Sequence, residues 1–168
     1  TLRIYLNPRH IFSDFTVGAK NLKAEITMPA LYGINLSGAV KGTITGFRSS
    51  QDLRLVVSGA SSLAIHDIGA GDVKAEISGA SKFSGSINAT DAEFEVSGAS
   101  NVELEGSAEN AVLKASGASK IDLTDLPLNN ANVNLSGASE VTIHAKGQID
   151  TVLSGASILY FLGNPAMG

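Results

Sequence analysis

The acidic residues Glu103 and Asp122 are the side chains of this sequence best placed to do chemistry. Each stands at the outward position of an alternating, strand-like segment, and the two segments belong to consecutive repeats. In a stacked sheet, equivalent positions of neighbouring strands lie about 4.8 Å apart, and Glu105 would be close by. Such carboxylates can act as general acid and base on a polysaccharide, with one pKa raised by the neighbouring charge.

The same residues also fit a simpler interpretation, a solvated acidic face whose repulsion is offset by nearby lysines. These lysines are Lys82, Lys114 and Lys120. The repeats differ in length by only three residues, so none carries the long insertion that would enclose a substrate cleft. We therefore expect no catalytic residues, and Glu103 and Asp122 remain the candidates should the protein be an enzyme like the pectinase-type β-helices.

Metal and nucleophile chemistry find little support in the sequence. His66 and His144 share an outward position but stand four repeats apart, which is roughly 19 Å at the spacing of adjacent strands. His10 lies outside the repeats, and the calcium-repeat-like segment Gly69-Ala70-Gly71-Asp72 occurs once. No Gly-x-Ser-x-Gly nucleophile motif occurs. We expect no cofactor and no metal site.

Seven copies of the tripeptide Ser-Gly-Ala indicate the architecture that positions all of these residues. Successive copies start 18 to 21 residues apart, the period of a stacked β-solenoid. Glycine suits a bend that a Cβ would resist, and serine hydroxyls can bond to backbone groups there. The predicted structural corners are Ser37-Gly38-Ala39, Ser58-Gly59-Ala60, Ser78-Gly79-Ala80, Ser97-Gly98-Ala99, Ser116-Gly117-Ala118, Ser136-Gly137-Ala138 and Ser154-Gly155-Ala156.

Alternating apolar positions flank every corner and predict a strand on each side of it. The residues one and three positions before each serine are mostly apolar, with polar residues between them. A second apolar alternation follows the corner; its inward residues are Leu63, Phe83, Val102, Ile121, Val141 and Leu159, and Phe161 follows two positions after the last of them. Because parallel crossovers are overwhelmingly right-handed, we predict an all-β fold, a single-stranded right-handed parallel β-helix (β-solenoid) with about 20 residues per coil.

The sequence predicts one domain over residues 1–168. Residues 1–16 are expected to be an irregular N-terminal cap or the remnant of an upstream segment, residues 17–162 the coils, and residues 163–168 the C-terminal end. A degenerate corner at Val17-Gly18-Ala19 supports the start of the coils. The chain begins without Met in a strand-like run, so we expect a processed product or fragment.

Composition excludes several classes of function. With 43% hydrophobic residues and a net charge of −4 of interspersed sign, the chain supports one core and argues against nucleic-acid binding. It has no Cys, which excludes disulfides. No apolar run approaches the roughly 20 residues of a transmembrane segment. Tyr32 falls on an inward position and only Tyr160 on an outward one, so no aromatic sugar-binding platform is expected.

Three features together resemble a known family. They are the triplet Gly33-Ile34-Asn35 before the first perfect corner, the repeated Ser-Gly-Ala-Ser, and the ending from Tyr160 to Pro165. They resemble the "putative auto-transporter adhesin, head GIN domain" family, a domain of unknown function widespread in Bacteroidetes. The resemblance implies a non-enzymatic β-solenoid that is secreted or attached to the cell envelope, in the periplasm or at the outer-membrane surface, and that binds glycans or surface proteins. It transfers no catalytic or binding residues.

A third reading is a passive structural or lipid-contacting envelope protein. That reading requires a continuous exposed apolar strip along one face, to which Val56 and Val112 would belong.

Overall fold

Fifteen β-strands make up the regular structure of residues 24–168, the part of the chain that this computed structural model describes. The strands are β1 Gly33–Leu36, β2 Lys41–Thr45, β3 Leu53–Val57, β4 Ser62–Gly69, β5 Val73–Ile77, β6 Lys82–Asn88, β7 Asp91–Val96, β8 Asn101–Ser107, β9 Asn110–Ala115, β10 Lys120–Leu128, β11 Asn130–Leu135, β12 Glu140–Ala145, β13 Gln148–Leu153, β14 Ile158–Leu162 and β15 Ala166–Met167. The described part of the chain contains no helix, which confirms the all-β prediction.

The strands stack into a two-sided parallel β-solenoid. Odd-numbered strands form an eight-stranded sheet and even-numbered strands a seven-stranded sheet, each in the order of the chain. Every pairing is parallel, and partners are offset by one repeat, as in Leu55, Ala75 and Phe94. The chain therefore makes about seven turns of roughly 19 residues, as the corner spacing predicted.

The core fills the space between the two sheets. Inward residues of the odd strands include the fully buried Phe94 and Leu113, and those of the even strands include Phe83 and Ile121. Burying each such side chain stabilises the fold by about 1.5–3 kcal/mol relative to leaving it exposed. The period-two alternation of the sequence thus corresponds to the inside and outside of one continuous core.

Each Ser-Gly-Ala corner joins an odd strand to the next even strand, and its glycine is required by both conformation and space. The corner glycines adopt φ between +70° and +92°, a region that residues with a Cβ avoid. A Cβ built on Gly117 would lie 2.5 Å from the carbonyl oxygen of Gly98, and one on Gly137 would lie 2.6 Å from that of Gly117. The following alanine is exposed, and its N–H donates to that glycine carbonyl of the preceding coil, as Ala118 does to Gly98 at 2.8 Å.

The serines of the corners bond to the backbone. In the Ser-Gly-Ala-Ser sequences from Ser78 onwards, the hydroxyl of the second serine donates to the carbonyl of the first, and this second serine is buried in every copy except the last. The Oγ–O distance is 2.8 Å from Ser81 to Ser78 and 2.9 Å from Ser100 to Ser97. Ser119, Ser139 and Ser157 repeat the bond. A nucleophilic hydroxyl would have to be free to reach a substrate, so this bonding gives these serines a structural role.

The opposite bend, between an even strand and the next odd strand, is less regular. Left-handed residues lie within the even strands that lead into it; they include Gly85 in β6, Gly106 in β8 and, without glycine, Asp67 in β4 at φ +56°. Asp67 is held by an ion pair with Arg48 and by the Ser86 hydroxyl, which accepts its N–H at 2.9 Å. The register shifts beside it in β4 and again in β10. No counterpart of the Ser-Gly-Ala tripeptide recurs at this bend.

Three side chains at the two ends of the described solenoid are more exposed than the alternation predicted. Tyr32, predicted to point inward, is 63% exposed. Leu153 and Phe161 stand at inward positions but are 46% and 47% exposed, because no described coil lies over them. The chain also continues past Leu162 into β15, which pairs with β13. The predicted cap at residues 1–16, with His10, and the first predicted corner at 17–19 lie outside the described residues.

Candidate binding face

The outer surface of the eight-stranded sheet carries the most organised set of charges, and we call it the ladder face. It consists of two columns of outward residues that run along the solenoid axis. One column holds Arg54, Lys74, Glu93, Val112, Asn132 and Asp150, and the other holds Val56, Glu76, Glu95, Lys114, Asn134 and Val152.

Ion pairs connect the two columns across strands β3 to β9. The Lys114 ammonium lies 2.9 Å from a carboxylate oxygen of Glu93 and 2.9 Å from one of Glu95. Lys74 lies 2.9 Å from the other oxygen of Glu93. Arg54 and Glu76 pair at 2.6 Å. Because parallel strands stack equivalent positions, the corner spacing alone brings these opposite charges together.

Glu93 is the centre of this network. Hydrogen bonds from Lys114 and Lys74 lower the pKa of the Glu93 carboxyl to about 2. The hydrogen bond to Glu93 in turn raises the pKa of both lysines. The groups therefore stay charged throughout the physiological pH range, in positions fixed by the sheet.

Two shallow, open grooves flank the charged columns. One, with a volume of about 480 Å³, runs between the first column and a row of polar residues at the bend, and Tyr32 stands at its end. The other, about 520 Å³, runs between the second column and the corner serines, such as Ser97 and Ser116. Open grooves along a flat sheet suit contact with an extended partner and do not enclose a small substrate.

The polar residues along the other side of the first groove form a hydrogen-bonded row that the sequence analysis missed. Asp52, Asp72, Asp91 and Asn110 line the groove, and Asn130 continues the row beyond it. The Asn130 amide donates to Asn110 Oδ1 at 2.9 Å, and the Asn110 amide donates to Asp91 Oδ1 at 2.8 Å. The backbone N–H of Asp72 donates to Asp52 Oδ1 at 3.1 Å. The repeated Asp or Asn directly before or at the start of β3, β5, β7, β9 and β11 is the sequence signal that could have revealed this row.

The candidate catalytic pair lies on the opposite sheet. Glu103 of β8 and Asp122 of β10 occupy paired positions, as their spacing predicted. Asp122 accepts hydrogen bonds from the Thr124 hydroxyl at 2.6 Å and the Thr124 N–H at 3.0 Å, and these lower the pKa of Asp122. This differs from the raised pKa expected of a general acid, because hydroxyl and amide donors stabilise the ionised form.

The surroundings of Glu103 are those of a surface residue. Its side chain is 66% exposed and lies 3.8 Å from the Lys82 ammonium. Lys120 pairs with Glu140 at 2.8 Å. Lys114 was expected to offset the acidic pair, but this expectation is wrong, because Lys114 belongs to β9 of the other sheet. Neither Glu103 nor Asp122 lines either groove.

Among residues 24–168, the histidines form no metal site and the outward valines form no apolar strip. His66 lies on β4 and His144 on β12, with three strands of the sheet between them. No group of three or more His, Cys, Asp or Glu suited to a metal ion occurs among these residues. Val56 and Val112 stand in different columns, each with polar neighbours in its own column, so they do not form a continuous apolar strip. No helix of the described chain has the length and apolar character to cross a membrane.

Comparison with known proteins agrees with the resemblance seen in the sequence. Residues 1–165 match the family model described as "Putative auto-transporter adhesin, head GIN domain". Searches of curated proteins and of solved structures returned no match. Since the family model covers nearly the whole sequence, the chain belongs to this family.

Proposed function

We propose that this member of the head GIN domain family is a non-enzymatic binding module of the adhesin type, secreted or held at the cell envelope. Its ladder face is the binding surface. The family name supports the adhesin class and a location outside the cytoplasm. The fold supports a binding role because its coils, 18 to 21 residues long, carry no inserted loop to build an enclosed active site.

The observation that carries the proposal is the fixed charge network of the ladder face. Lys74 and Lys114 are held against Glu93 and Glu95 on consecutive strands of a rigid sheet. Charged groups that are already positioned lose little conformational freedom when a partner binds, which favours affinity and specificity. The flanking grooves leave both edges of the network accessible.

The partner that fits is an extended polymer with polar groups, which is either a glycan chain or a segment of a surface protein. Carboxylates, ammonium groups and amides alternate along the axis at the spacing of strands, so hydroxyls or peptide groups of an extended partner can be bonded repeatedly. Tyr32 adds one exposed aromatic ring at the end of a groove.

Arrays of glycans and of surface proteins test the proposal directly. We expect the purified protein to be retained specifically, with no reducing sugar released into solution. Release of sugar that is abolished by Glu103→Gln or Asp122→Asn would overturn the non-enzymatic assignment. Failure to bind any glycan or surface protein would contradict the adhesin assignment and favour a passive structural role.

A further inference from the structure

The first groove of the ladder face carries unbalanced negative charge. The charged side chains that line it are the carboxylates of Asp52, Asp72, Asp91 and Glu93 and the cations Arg54 and Lys74. Both cations are already paired with glutamates of the network, at 2.6 Å and 2.9 Å. Within the described chain the three aspartates have no ion pair. An acidic partner would therefore meet carboxylates that no cation neutralises, which costs affinity.

The polar row of this groove offers hydrogen-bonding groups at a regular spacing. The Asn110 amide holds Oδ1 of Asp91 at 2.8 Å, which leaves Oδ2 of Asp91 for another donor. A carboxylate accepts at two oxygens, and an amide both donates and accepts. Asp91 and Asn110 are paired positions of neighbouring strands, so the row residues recur about every 4.8 Å. Each coil along the groove thus presents one group that can bind a hydroxyl.

Apolar side chains stand at both ends of the groove. Tyr32 at one end is 63% exposed, and Val112 at the other is 37% exposed. Sugar rings present C–H groups as well as hydroxyls, and an aromatic ring with an apolar body and a polar tip packs against such a face. The groove therefore combines hydroxyl-binding groups along its length with apolar contacts at its ends.

We propose that the ligand of the ladder face is an extended glycan without acidic groups, which lies in the first groove along the solenoid axis. This inference rests on the proposed function of the face and names its substrate class. A pyranose ring linked through carbons on opposite sides advances its chain by about one strand spacing, so each sugar unit meets the row residue of one coil. Its hydroxyls donate to the carboxylates and exchange hydrogen bonds with the amide of Asn110.

An extended peptide fits this groove less well than a glycan. Peptide side chains on one face recur every second residue, at roughly 6.4–6.8 Å, so a peptide along the axis falls out of register with coils about 4.8 Å apart. Peptides that add to a sheet do so at an edge strand, whereas the groove lies across β3 to β9, each of which has a strand paired on both sides. The spacing and the paired backbone together favour the glycan over a segment of a surface protein.

Calorimetric titration with oligosaccharides of increasing length tests the register between sugar units and coils. The probes are β-1,4-linked chains of glucose, mannose and N-acetylglucosamine, from the monosaccharide to the octasaccharide. For the chain that binds, we expect the dissociation constant to fall at least about tenfold from the disaccharide to the tetrasaccharide, since each added unit meets another carboxylate or amide. The dissociation constant should then level off, because the row residues that line the groove come from four coils. The same chain with its C6 carbons oxidised to carboxylates should bind at least about tenfold more weakly.

Two matched aspartate variants place the glycan on the protein. Asp72 lines the groove, and Asp125 lies on β10 of the other sheet; both are exposed, so neither substitution should change the circular dichroism spectrum. We expect Asp72→Ala to weaken binding of the neutral chain at least about tenfold and Asp125→Ala to leave it unchanged.

Several results would overturn the inference. They are equal binding of all chain lengths, equal or tighter binding of the oxidised chain, and unchanged binding in Asp72→Ala. Retention by surface proteins alone, lost in Lys114→Gln, would overturn the inference and leave the proposed function intact. A protein that no glycan or surface protein retains would contradict both.

Discussion

Replacing a corner glycine in the middle of the solenoid should destabilise the protein far more than an ordinary surface substitution. Gly117 combines a φ of +79° with a close approach to the coil below. A left-handed conformation costs a residue with a Cβ roughly 1–2 kcal/mol. The new Cβ would lie 2.5 Å from the Gly98 carbonyl oxygen, in backbone that cannot rotate away, and overpacking of this kind costs about 1–3 kcal/mol more. We therefore expect Gly117→Ala to lower the free energy of unfolding by about 2–5 kcal/mol.

The matched control for this prediction is Gly46→Ala. Gly46 has a similar φ of +76°, but a Cβ there would meet no atom of the described residues within 4 Å. It should therefore cost only the roughly 1–2 kcal/mol of the left-handed conformation. Urea unfolding followed by far-ultraviolet circular dichroism measures both variants. Equal destabilisation by the two substitutions would refute the claim that close stacking of the corners requires glycine.

Three further results follow from the core, the corners and the ladder face. Phe94→Ala empties a fully buried core position and should cost about 3–5 kcal/mol in urea unfolding. Ser100→Ala removes the buried hydroxyl bonded to Ser97 and should cost about 0.5–1.5 kcal/mol, whereas the exposed Asn132→Ala should cost less. Because the folded pKa of Glu93 is about 2, below its ordinary value of 4.5, its stabilising contribution is present above pH 4.5 and is lost as the pH falls towards 2. Glu93→Gln should therefore lose less stability between pH 5 and pH 2, and equal acid unfolding curves would contradict the pKa.

The fold could be predicted from the sequence because the same local requirement recurs in every coil. A glycine that must be left-handed and must contact the glycine below repeats at the period of the coil, and the apolar alternation follows that period. The bend between an even strand and the next odd strand was not predicted, because the residues with positive φ that lead into it differ in type and position from coil to coil. Asp67 relies on Arg48 and Ser86, whereas Gly85 needs no such partners.

For the candidate catalytic pair, the sequence predicted which residues are neighbours but not the direction in which the pKa of Asp122 is shifted. Sequence spacing correctly paired Glu103 with Asp122, but the hydroxyl that lowers the pKa of Asp122 belongs to Thr124, two residues further along the same strand, where the register shifts. Lys114 was wrongly expected to lie near this pair, because its position two residues before the corner places it on the strand before the corner, in the other sheet. Alternation correctly marks Phe161 as inward, in register with Ile143, but cannot show that no described coil covers it.

The central claim is that the ladder face is the binding surface. It is tested most directly by measuring how tightly two matched lysine variants bind a ligand identified on the arrays. Lys114 on the ladder face and Lys120 on the opposite face are exposed to similar extents, 52% and 58%, and both are paired with glutamate. Substitution of either by Gln changes the net charge equally. The account predicts that Lys114→Gln weakens binding at least about tenfold, the effect of losing one charge-assisted hydrogen bond, while Lys120→Gln leaves it unchanged. Loss of binding in Lys120→Gln with Lys114→Gln unaffected would contradict the assignment of the binding surface to the ladder face.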